Sequence, residues 1–190
     1  MPTQPIVLNA TNATPYLVRT MGALNRGHSN MLSLREKLDR LRNGHDIMRR
    51  TPPTEPLETG QKLQPQNLAQ DDPRRLFRVF TLARTRLSLS QMVVEVEEGA
   101  DNVKTVCEAT AAFIKDTPAL DLTNIAIWYF NIVTAMELRA LAMRDVAEAK
   151  EALAAMLQDE DLAKELDLTL PIAFERVFTA TNPDQFPFNN

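Results

Sequence analysis

The sequence predicts an all-α protein: a compact helical bundle body with a long, mostly extended N-terminal arm that contains one amphipathic helix. Three observations predict it. Only 5 of 190 residues are Gly, too few for the turn-dense strands of a sandwich or barrel. Eight of the 12 prolines fall in the first 73 residues, where each removes a backbone donor and fixes φ. Beyond that point apolar residues recur at spacings of three and four, the mark of helices that bury one face. The division is an arm at 1–71, a body at 72–181 and a short tail, NPDQFPFNN, at 182–190.

In the arm, Ile6-Val7-Leu8 and Tyr16-Leu17-Val18 are short β-prone runs separated by Asn and Thr. They read as a small hairpin, or as strands donated to another chain's sheet edge. Asn9-Ala-Thr11 and Asn12-Ala-Thr14 match the glycosylation pattern, but no secretory signal precedes them, so they read as turn residues. A helix follows over about 29–43, capped by Ser29 or Asn30 and ended by Gly44. Met31, Leu34, Leu38 and Leu41 form its apolar seam, with Arg35, Lys37, Arg40 and Arg42 on the other faces. A helix this short is marginal alone, so its seam must dock on something. Residues 51–73 read as an extended connector.

The body opens with Asp72 as N-cap and Pro73 as first helical residue. Leu76, Phe77, Val79, Phe80, Ala83 and Leu87 supply a stripe. The run 87–98 has strand propensity in a helical context and is read as helix, with Gly99 as a break. Val103, Val106, Cys107, Thr110, Phe113 and Ile114 mark the next helix, ended by Thr117-Pro118. A long helix runs to Leu157. Its half from Ile125 to Met136 is apolar nearly all round and is expected to be the central buried element; Leu138, Ala142, Val146, Ala149, Leu153 and Leu157 continue it as a stripe. Two short helices, about 159–167 and 171–180, complete the body. No sustained heptad pattern stands out.

Charge is distributed unevenly. The net −4 is +7 over residues 1–90 (14 Lys+Arg, 7 Asp+Glu) and −11 over 91–190. The basic half includes Arg49, Arg50, Arg74, Arg75, Arg78, Arg84 and Arg86; arginine suits bidentate contact with carboxylate or phosphate.

Readable catalytic chemistry is scarce. Gly22 and Gly27 have phosphate-loop spacing, but His28 stands where that loop needs Lys. The segment reads as a Gly-punctuated turn entering the capped helix. Cys107 shares a helical face with Val103 and Thr110, and both His lie in the arm, so it reads as a buried small hydrophobe. Neither His28 nor His45 follows a Glu by three, as a di-metal bundle requires. The run 158–161 lacks the later Gly and Glu of a calcium loop and reads as helix-start carboxylates. Glu95, Glu97, Glu98 and Asp101 read as a solvated face. The cluster Trp128-Tyr129-Phe130 points three ways around a helix and reads as core rather than as a stacking platform.

The expected function is therefore non-enzymatic, with no cofactor or metal: a structural or adaptor subunit of a large assembly, of the bacteriophage virion kind (capsid, neck or tail). Its expected location is virion or cytoplasmic, neither secreted nor transmembrane. Its partners are other protein subunits, copies of itself included. The docking residues expected are Ile6, Val7, Leu8, Tyr16, Leu17, Met31, Leu34, Leu38 and Leu41, with Arg35, Arg42, Arg49, Arg50, Phe186 and Phe188. On this plan a chain lacking residues 1–70 keeps a folded body. The alternatives are a nucleic-acid-associated protein using the basic half and a helical small-molecule binder or enzyme.

Overall fold

The computed structural model describes residues 7–43 and 68–179, with side chains through residue 172. Four helices are present among them and no strand: α1 (Ala13–Arg42), α2 (Pro73–Asp116), α3 (Leu122–Gln158) and α4 (Glu160–Thr179). The all-α expectation holds. Arg49, Arg50, Gly44, most of the connector, Ile6 and the tail with Phe186 and Phe188 lie outside the described residues.

α1 begins at Ala13 rather than near Ser29, so Tyr16, Leu17 and Val18 are helical and form no strand. A reciprocal cap starts it. The Asn12 N–H donates to Asn9 Oδ1 at 3.0 Å, and the Asn9 N–H donates to Asn12 Oδ1 at 2.7 Å. Each side chain satisfies the other's orphan donor, as in a capping box. Pro15 falls in the first turn, where its missing N–H costs nothing. Gly22 and Gly27, expected in a turn, are mid-helix. Gly27 is there because of what it faces: a Cβ on it would stand 3.3 Å from Val96 Cγ2.

α2 runs unbroken through 87–98, as expected, and also through Gly99. A Cβ at Gly99 would meet Leu24 Cδ1 at 3.4 Å, so this glycine also marks a close helix approach rather than a stop. At the start of α2, Asp72 Oδ1 accepts the Arg74 N–H at 2.8 Å, the cap foreseen from Asp72-Pro73. Asp121 caps α3 likewise, accepting the Thr123 N–H at 3.1 Å. Asp159 caps α4, accepting the Leu162 N–H at 3.0 Å. Glu160 and Asp161 fill the first turn of α4, where carboxylates complement the helix dipole. α4 is one helix where two were expected. Pro171 withholds one hydrogen bond from the Asp167 carbonyl, and the helix continues past it.

Burial follows a seven-residue period, contrary to the expectation of no heptad pattern. Leu17, Leu24, Met31 and Leu38 are buried in α1. Leu82, Leu89, Val96, Val103 and Thr110 are buried in α2, beside Val93, Ala100, Cys107 and Ile114. Trp128, Ala135, Ala142, Ala149 and Met156 are buried in α3. In α2 two positions in every seven are buried, the period of a coiled-coil seam, while the named residues of α1 and α3 recur once in seven. Ala, Thr and Cys at several of these positions hide the repeat from a hydrophobicity reading.

The chain forms two compact units, each drawing on both the expected arm and the expected body. One comprises the described residues of Met1–Leu32 with Gln91–Lys150. Its core includes Leu17 and Leu24 with Val96, Val103 and Val106, and a cluster of Ala13, Ile114 and Trp128 with Phe113, Leu120, Ile125 and Ile132 around it. The other comprises the described residues of Ser33–Ser90 with Glu151–Asn190; its core includes Leu38, Leu41, Leu76, Val79, Leu82 and Leu162.

Candidate docking surface

Four of the nine apolar docking residues expected in the arm are taken up by the chain's own core. Leu17, Met31, Leu38 and Leu41 are buried. Leu34 is half-buried and lines a groove of about 360 Å³ with Phe77 and Phe80. The seam does dock, as a short helix must, but on its own fold. Val7 and Tyr16 stay exposed, and Leu8, Arg35 and Arg42 are half-buried.

Several arginines of the basic half are also engaged. Arg78 is buried, and its Nε and Nη2 donate to the carbonyls of Leu41 and Arg42 at 3.0 and 3.2 Å. Those two carbonyls end α1 and have no partner within the helix. Arg78 Nη1 donates to Glu165 Oε2 at 2.5 Å, and Arg75 lies 3.7 Å from the other oxygen. Arg74 pairs with Asp72. A polar groove of about 550 Å³ is lined by Arg42, Arg75, Arg78 and Lys164, and by Glu165, Asp159 and Asp161. Glu165 pairs with two of its cations, Arg75 and Arg78.

The reactive candidates are similarly absorbed. Cys107 is buried, and burial, then the Glu108 charge, pushes its thiol up, away from the thiolate. His28 sits mid-helix with Nε2 3.5 Å from Asp145 Oδ2, both side chains nearly buried. Glu97 takes Lys150 at 2.6 Å, and Asp101 lies 3.8 Å from Arg139. Among the described residues no group of three His, Cys, Asp or Glu could hold a metal ion.

What the fold leaves open is the first half of α3. This segment was expected to be the buried centre, and it is the reverse. An 18-residue window of α3 is apolar and long enough to cross a membrane by length and composition, yet only 17% of it is buried. The reason is angular. Successive helical positions turn by about 100°, and α3 packs along one stripe only. Trp128 takes that stripe at 3% exposure, its ring 5.5 Å from that of Phe113. Tyr129 and Phe130 turn outward, Phe130 to 71%. Leu122, Ile127, Val133, Met136 and Leu141 are exposed with them. Seven large apolar side chains on one helix half reach several hundred Å², at or above the largest patch of an ordinary monomer. The sequence signal was present in the all-round apolarity of 125–136. Apolar composition alone does not say whether a helix has neighbours on all sides.

Comparison with protein-family models, with curated proteins and with solved structures finds no match.

Proposed function

We propose that this chain is a non-enzymatic structural or adaptor subunit of a larger protein assembly, of the bacteriophage virion kind that its plan suggests. The observation that supports this reading is the exposed apolar face of α3. A folded chain with its heptad seams filled has no internal use for Tyr129, Phe130 and Val133 in water, and such a face is stabilised when another protein covers it. The engaged state of Arg74, Arg75 and Arg78 gives the nucleic-acid reading less to work with.

The test is to tag the chain in its source cell and fractionate the extract by size. The reading predicts a particle many times heavier than the 21.4 kDa chain, and predicts that Phe130→Glu shifts the chain to the light fractions. A wild-type chain that sediments as a free small species under all conditions contradicts it.

A further inference from the structure

We propose that the exposed face of α3 pairs with the same face of a second copy, antiparallel, about a two-fold axis at Val133. The inference rests on the assembly reading above and names one partner within it. Between residues 122 and 136 α3 carries no charged residue, so this stretch brings no ion into the interface; Glu137, just beyond it, is the carboxylate the paired span covers. A standard interface takes about 800 Å² from each partner. The apolar part alone supplies several hundred, and flanking polar residues supply the rim.

Charge decides the orientation. Glu137 and Arg144 follow the apolar run, and Asp121 precedes it. A parallel, in-register pairing would set Glu137 against Glu137 and Arg144 against Arg144. The antiparallel pairing sets each Arg144, which is well exposed although it lies 3.4 Å from Asp145 and 3.9 Å from Glu148 of its own chain, near the partner's end of the helix at Asp121 and Leu122. It sets Glu137 opposite Tyr129, whose hydroxyl can donate to it. Ala126 then faces Ala140 at both ends, Phe130 faces Met136, and Val133 faces itself. Large side chains meet flexible or small ones, as close helix packing requires. The alternative cover, a lipid surface, fits less well: Asp116, Asp121 and Glu137 border the apolar run beside Lys115 and Arg139, and Arg139 is turned to its own fold, donating to the Ala100 carbonyl at 3.0 Å and lying 3.8 Å from Asp101.

The experiment uses the full chain. In a Cys107→Ala background, Val133→Cys is oxidised and run without reductant. A cross-linked dimer is expected, because a residue on a two-fold axis meets its own copy. Phe130→Glu is expected to weaken dimerisation about thirtyfold or more, as loss of a central aromatic anchor does, with unchanged helical circular dichroism since the residue is exposed in one copy. A monomeric wild type at micromolar concentration overturns the pairing, as does a dimer that ignores both changes. A monomer that co-sediments with anionic lipid vesicles overturns it in favour of a lipid surface. A monomer that still rides in a large particle leaves the assembly reading standing without the pairing. A dimer found in no particle does the opposite.

Discussion

Gly22 and Gly27 lie on the same helix and are predicted to respond in opposite ways to a side chain. Beside Gly22 the nearest atom to a new Cβ is the flexible end of Arg26, at 3.6 Å. Gly22→Ala should therefore stabilise the chain by up to ~1 kcal/mol, the helix-propensity difference. Gly27 meets buried Val96 at 3.3 Å, so Gly27→Leu should cost about 1–3 kcal/mol by overpacking. Urea titration of both variants checks the pair. Arg78→Ala should be the most damaging single change described, about 3–5 kcal/mol, because it strands Glu165 and two helix-end carbonyls. At Asp72 the prediction concerns pH. Arg74 holds its carboxyl below the ordinary value of 3.8, chiefly through their side-chain hydrogen bond. A depressed carboxyl adds stability above its unfolded pKa and loses it as pH falls through the folded value. Asp72→Asn keeps a capping oxygen but not the charge. Its stability deficit against the wild type should hold at neutral pH and shrink below about pH 4.

At the scale of elements, the caps were legible and the boundaries they imply mostly hold. Asp72-Pro73 starts α2, and the chain leaves helix before Thr117-Pro118. These signals are local and need no tertiary contact to act. α1 starts earlier than expected: its first half carries Pro15, Gly22 and Gly27, which propensity alone treats as breaks. Tertiary approach to Val96 and a first-turn position make two of them harmless. The consequence is testable. Removing residues 1–43 takes Leu17, Leu24, Met31, Leu38 and Leu41 from the buried core. The truncated chain should lose cooperative thermal unfolding, where an independent body would retain it; scanning calorimetry distinguishes the two outcomes.

For the whole molecule, the all-α class follows from composition and spacing. Each compact unit takes residues from both sides of residue 72. The seven-residue period is written in burial rather than in hydrophobicity, since Ala135, Ala142 and Ala149 fill a seam as well as Leu does when helices approach closely. The exposed apolar face of α3 is legible in the sequence only as an anomaly of composition. An apolar run such as Ile125–Met136 serves a core or an interface equally well, and only the count of neighbours around the helix separates them. On the proposed reading, recognition falls on α3 rather than on the arm's seam. Sedimentation equilibrium of three full-length chains, wild type, Phe130→Glu and Val7→Glu, tests this most directly. A wild-type dimer that Phe130→Glu dissociates and Val7→Glu leaves intact is the predicted result. A dimer broken by Val7→Glu and indifferent to Phe130→Glu would contradict it.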